Sequence, residues 1–171
     1  MRPSTADDTQ TALSPCRKQP SPLTSFPSPQ GNRHTMSMPT ETLSQPLVLP
    51  NGSTLPNRMA KAAMTEGLAD PRGYPSAELE RLYARWGESG CGLLITGNVQ
   101  VDRHHLERPG NVVIDREPDA DMRAALQRWA SAAKAKGAKI WMQISHAGRQ
   151  TSAIVNPHPK APSAISLALP G

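Results

Sequence analysis

Gly92-Leu93-Leu94-Ile95-Thr96-Gly97 and, further along, Ala138-Lys139-Ile140-Trp141-Met142-Gln143-Ile144 are the stretches that decide the fold. The first is a short apolar strand between glycines, with Leu93-Leu94-Ile95 as its purely apolar run, the kind that parallel sheets bury on both faces. Between the two lies a helical pattern. It starts near Asp119 to Asp121 and carries Met122, Ala125, Leu126, Trp129 and Ala133 on one stripe. Lys134 and Lys136 suit the negative end of its dipole, and Gly137 stops it.

Upstream the same alternation continues. Pro75-Ser76 opens a helix with Ser76 as N-cap and Glu78 and Glu80 near the positive dipole end. Leu79, Leu82, Tyr83 and Trp86 recur at helical spacing, and Gly87 and Gly90 close it. Arg58 to Met64 is expected as a strand from its position, since its residues are not β-branched. Leu47-Val48-Leu49 and Ser53-Thr54-Leu55 read as a hairpin whose Asn51-Gly52 supplies a type I′ turn. The order strand, helix, strand, helix, strand fits consecutive right-handed βαβ units, so the class is α/β.

The chain has 171 residues, about one domain's worth. Nine of its 18 prolines precede residue 51, among many Ser and Thr. Such a stretch buries too little apolar area to offset its ordering entropy. Residues 1–44 are therefore expected as a disordered Pro/Ser-rich arm and 45–171 as the folded part. Met36 and Met38 offer alternative translation starts that would leave the arm out altogether.

The formal charge is +5, but no basic run is longer than Arg17-Lys18 and only 4% of residues are aromatic, which excludes a nucleic-acid surface. No apolar run approaches the roughly 20 residues that span a bilayer. Cys16 and Cys91 show no metal or disulfide spacing, so a reducing cytoplasm is expected.

In parallel sheets and barrels, binding groups gather at the carboxyl ends of the strands. That rule selects Ala63-Met64-Thr65-Glu66, Thr96-Gly97-Asn98 and Gln143-Ile144-Ser145-His146. The clusters hold small and amide-bearing residues and no nucleophile with a base beside it, so they suit a flat ligand more than covalent catalysis. Gln143 can donate and accept at a ring edge, and Gly97 admits close backbone approach. Plain strand-end packing is the competing reading. His146 with Arg149, and His104-His105, read as polar loop residues, and Cys91 as a small core hydrophobe.

Asn57-Arg58 with Ala63-Met64-Thr65, Gly92 to Gly97, and Gln143-Ile144-Ser145-His146-Ala147-Gly148-Arg149-Gln150 followed by Ala161-Pro162-Ser163-Ala164-Ile165 together resemble the N-terminal part of the Old Yellow Enzyme family, the NADH:flavin oxidoreductases. The resemblance runs from about Leu47 to Gly171. It implies a (β/α)8 TIM barrel with FMN at the carboxyl ends of its strands. It implies hydride transfer from NADH or NADPH through FMN to an activated alkene, such as an α,β-unsaturated carbonyl. Carried over by motif, Ala62, Ala63, Met64 and Thr65 line one side of the flavin, with Thr65 tuning its potential. Gly97 approaches the ring, and Gln143 bonds its pyrimidine edge.

Two positions depart from the family. Ala63 stands where Pro is usual, and Glu66-Gly67-Leu68 lacks a Tyr that helps some relatives bind substrate. Only about the first three βα units of the barrel are expected here, against eight in a complete one. The family's substrate-binding His pair falls beyond Gly171. Activity is then expected to need a second chain that supplies the missing strands, and the alternative is a truncated, noncatalytic remnant or interaction module.

Overall fold

The computed structural model describes residues 39–165, so the expectation for residues 1–38 of the arm lies outside them. The arm's last residues are not coil: Pro39–Ser44 forms the short helix α1. Pro39 at its first position loses no intrahelical bond, because the first N–H groups of a helix have no partner within it.

A two-stranded hairpin follows, β1 (Leu47–Val48) against β2 (Thr54–Leu55), with Leu47 opposite Leu55. Its turn is not type I′, which needs positive φ at both central residues. Only Gly52 has positive φ, at 81°, and the Leu49 carbonyl accepts from the Gly52 N–H at 2.9 Å. The Leu49 N–H also donates to the Ser53 carbonyl, so the loop is the three residues Pro50-Asn51-Gly52. Pro50 favours the first turn position and Gly52 takes the left-handed one.

The main sheet is parallel and centred on β4 (Leu93–Gln100). One edge of β4 pairs along its length with β6 (Lys139–Ser145). Its other edge pairs with β3 (Ala60–Lys61) near its start and β5 (Val112–Val113) near its end. The expected strand over 58–64 is thus confined to Ala60–Lys61, and β5 is an addition to the sequence reading.

The helices form as their caps dictate. α2 (Ala77–Gly87) is capped by the Ser76 side chain on the Leu79 N–H, and α3 (Ala120–Lys134) by Asp119 on the Met122 N–H. Both lay their apolar stripes on the sheet. Leu79, Tyr83, Met122, Trp129 and Ala133 join Leu94 and Val99 in one core. Tyr83 and Trp129 meet edge to face at 5.1 Å, and Arg128 reaches across from α3 to Glu80 on α2.

Leu94 and Val99 are an odd number of positions apart, yet both face this core. Regular alternation would put them on opposite faces. A bulge resolves the conflict. Ile95 pairs with Trp141 but Asn98 pairs with Gln143, so β4 carries one more residue than β6 between those pairs. β6 is the outer strand and leaves Trp141, Met142 and Ile144 48%, 42% and 70% exposed.

Candidate functional site

Three of the residues singled out by sequence gather at the carboxyl end of the parallel sheet. Thr65 lies in the segment after β3, Asn98 lies on β4 just past the bulge, and Gln143 lies opposite it on β6. Thr96-Gly97-Asn98 is therefore part of the strand and not a loop after it, and β4 runs on to Gln100.

The bulge aims these side chains. Without the extra residue Gln143 would face Gly97, which has no side chain to meet it. With it, Gln143 Nε2 donates to Asn98 Oδ1 at 2.6 Å, and the Gln143 backbone N–H donates to Thr96 Oγ1 at 2.9 Å. The Thr96 hydroxyl proton goes to the Gly97 carbonyl at 2.8 Å. Bulges beside binding sites commonly redirect a side chain in this way.

Glu107, from the loop after β4, completes the network and escaped the sequence reading. Its Oε2 accepts from Thr65 Oγ1 at 2.6 Å and from Asn98 Nδ2 at 2.5 Å. Thr65, Glu107, Asn98 and Gln143 thus form one hydrogen-bonded chain across the ends of three strands. Around it, Met64 is 50% exposed, and Ala62 and Gln143 are exposed too, while Ala63 and Thr65 are half-buried. The rim offers a small apolar wall beside an amide edge, which suits a planar ring with polar atoms along one side.

Gly97 is explained differently from the expectation. It is buried, and a Cβ there would run into the Met64 carbonyl oxygen and the Glu66 carboxylate. Its glycine identity follows from this chain's own close packing. Its N–H donates to Glu66 Oε1 at 3.1 Å and to the Tyr83 hydroxyl oxygen at 3.2 Å.

Beneath the rim lies a polar layer that periodicity alone concealed. The Tyr83 hydroxyl donates to Glu66 Oε1, and burial, reinforced by that carboxylate, pushes the phenol well above its usual range. Lys61 Nζ is buried without a hydrogen-bond partner among the described residues and sits 4.0 Å from the Trp86 ring centroid. Burial holds its pKa below the usual lysine range, partly countered by the charge of Glu66. The cation–π contact offsets some of the lost hydration.

His146 does not pair with Arg149, and His105 is not an exposed loop residue. His105 is 2% exposed, and its Nε2 accepts from the Lys160 backbone N–H at 3.0 Å. Nδ1 therefore carries the ring proton and donates to Asp102 Oδ2 at 2.8 Å. The His146 ring stacks on it with centroids 4.8 Å apart, and its own Nδ1 accepts from the Gly148 N–H. Asp102, His105 and His146 could converge on a cation by distance alone. Both His105 nitrogens are already committed, so the cluster acts as a tie between the loop after β4, the segment after β6 and Lys160. Cys91 is half-buried with a free thiol, and no helix among the described residues is long and apolar enough to cross a membrane.

Comparison with known proteins gives a consistent result. The sequence model of the NADH:flavin oxidoreductase / NADH oxidase family matches residues 42–169. The NADH-dependent flavin oxidoreductase iliE of Hypocrea jecorina (strain QM6a) is 39% identical over 108 residues, 63% of this chain and 27% of that protein. Among solved structures, the old yellow enzyme homologue from Zymomonas mobilis superposes with a TM-score of 0.62 at 26% identity, over 72% of this chain and 34% of that one. Morphinone reductase in complex with tetrahydroNAD gives a TM-score of 0.60 at 27% identity, over 72% and 33%. The chain spans about a third or less of the length of these proteins.

Proposed function

Because the chain belongs to the NADH:flavin oxidoreductase / NADH oxidase family, with the partial TIM-barrel fold, FMN cofactor and NADH or NADPH reductant that membership carries, we propose that its strand-end rim forms one wall of an FMN site. The reaction served is reduction of an activated alkene, such as an α,β-unsaturated carbonyl. When bound, FMN supplies the hydride relay between the nicotinamide and that small-molecule substrate.

The observation that carries this reading is the continuous network from Thr65 through Glu107 and Asn98 to Gln143. It holds side chains of β4, β6 and the segments after β3 and β4 in one orientation before any ligand arrives, which is how a site limits the ordering cost of binding. Ala62, Ala63 and Met64 would bound the ring on its apolar side. Gln143 would meet a polar edge with its Oε1 and its second Nε2 proton, and Thr65 would lie toward the reacting end. Gly97 would contribute indirectly, by letting the Met64 backbone settle against β4.

Among the described residues β6 pairs only with β4, and Trp141 and Ile144 are exposed, which supports pairing of its outer edge with further strands of the barrel, whether from a continuing chain or a second one. Those strands would carry the remaining groups for phosphate and substrate. The match over residues 42–169 and the intact rim network give the remnant reading no specific support.

Purification from cells followed by a visible spectrum tests the proposal. A flavin band near one equivalent per chain is expected. A protein that stays colourless and takes up no added FMN refutes it.

A further inference from the structure

Beyond β6 the chain makes the short 3₁₀ turn Gly148–Gln150 and then runs on to residue 165, with no further helix or strand among the described residues. The segment is nonetheless fastened. The Lys160 N–H donates to His105 Nε2 at 3.0 Å, Asn156 Nδ2 donates to the His104 carbonyl at 3.2 Å, and Thr151 Oγ1 donates to the Gly148 carbonyl at 2.7 Å. Two of these ties lead to the loop after β4 that carries Glu107.

The segment's own residues line a cleft of about 840 Å³, a volume typical of small-molecule sites. Its charge is one-sided. Arg149, His158 and Lys160 line it, and no Asp or Glu does. All three are exposed, and none of their side chains bonds or pairs with another group among the described residues. By contrast, Arg72, Arg85, Arg103 and Arg128 each sit on a carboxylate. Cations gathered without an acid raise the local potential and draw an anion in. A guanidinium fork fits phosphate oxygens two at a time, and a lysine adds a point charge.

We propose that this cleft takes a diphosphate, that of the nicotinamide dinucleotide which reduces the flavin. The inference rests on the FMN reading above and adds a seat for the reductant. Place and strength both favour the reductant over the phosphate of FMN itself. Arg149 stands six residues past Gln143, and the ties at His104 and His105 hold the cleft to the loop that completes the rim network. Its cations are exposed, so water and salt screen their pull. Weak, exchangeable binding suits a reductant that must leave after each hydride transfer, and would not retain a resident cofactor.

ADP tests the proposal, because it carries the diphosphate without the nicotinamide, and adenosine is the control without phosphate. With the full chain at low ionic strength, ADP should move the backbone amide resonances around Arg149, His158 and Lys160, and adenosine should leave them in place. Raising the salt from about 20 to about 200 mM should weaken ADP several-fold. The double variant Arg149→Gln, Lys160→Gln should weaken it about tenfold, the scale of two exposed charge contacts.

Resonances that move elsewhere or not at all, equal binding of adenosine, or a double variant with wild-type affinity each overturn the proposal. Displacement of ADP by FMN also overturns it, since the cleft would then belong to the flavin's phosphate. Should the double variant fail to fold, the wild-type shifts and the adenosine control decide. The two readings fail separately. A chain that takes ADP in the cleft but no FMN loses the cofactor reading and keeps the diphosphate seat, and a chain that takes FMN but no ADP does the reverse.

Discussion

The Tyr83 hydroxyl lies 2.5 Å from Glu66 Oε1, and the Gly97 N–H meets both oxygens. Helix α2 is thereby joined to the loop after β3 and to the bulge of β4 through one buried phenol. Tyr83→Phe keeps the ring against Trp129 but strips Glu66 of a donor. A loss of about 1–3 kcal/mol is expected, the usual penalty for stranding a buried acceptor. Urea unfolding followed by tryptophan fluorescence reads it directly, and a midpoint equal to wild type would mean that water replaces the phenol.

Gln143→Leu removes the amide that would meet the ligand's polar edge. FMN affinity should fall by about 1–3 kcal/mol, since that edge is then buried without a partner. Isothermal titration or fluorescence quenching gives the constant. Unchanged affinity takes Gln143 out of the site.

Thr65→Ala should act on the flavin's midpoint potential more than on its affinity. In the ligand-free chain the hydroxyl donates to Glu107, and a ring acceptor seated above it would compete for that proton. Spectroelectrochemical titration of the loaded protein distinguishes the cases: a potential equal to wild type makes Thr65 a packing residue.

The helices were legible in the sequence because their signals are local. Ser76 and Asp119 cap, Leu79 and Tyr83 recur at helical spacing, and the structure buries those residues. The strand-end rule found Thr65 and Gln143 because parallel strands all finish at one end of the sheet. The bulge escaped because β4 is buried on both faces: adjacent Leu93 and Leu94 are both buried, so apolar residues at odd spacing carry no signal there. Glu107 left no local trace, since its role depends on a loop folding back over β4 to meet Thr65, 42 positions earlier. The Asn51-Gly52 turn failed for a different reason. Pro50, directly before that pair, favours the first position of an ordinary turn and leaves only Gly52 to take positive φ.

Gly97→Ala separates two explanations of that glycine. If only a bound ring demanded it, the ligand-free protein would tolerate alanine. The Met64 carbonyl and Glu66 already fill the space, so ligand-free stability should drop by about 1–3 kcal/mol as β4 or the 64–66 segment shifts. Thermal melts with and without FMN read both effects, and an unaltered ligand-free melt would return Gly97 to the ring.

Asp119 gives a pH-dependent prediction with a definite sign. The Tyr74 hydroxyl and then the Met122 N–H bond its carboxylate and hold its pKa below the ordinary value. Its folded pKa is thus lower than its unfolded one. The stabilisation it gives is present above the unfolded carboxylate range of about 4 and is lost as pH falls through the folded value. Asp119→Asn retains a side-chain oxygen for the N-cap of α3 but has no charge to lose. At neutral pH the variant should melt below wild type, because a negative charge at a helix N-terminus is also gone. In strong acid the two should converge. Asp70, Asp102 and Asp115 are held low as well, so both proteins lose stability on acidification and only the gap between their curves reports Asp119. Melting temperatures by circular dichroism at stepped pH supply those curves. Two curves that run parallel into strong acid would show that the carboxylate's charge contributes nothing at this cap.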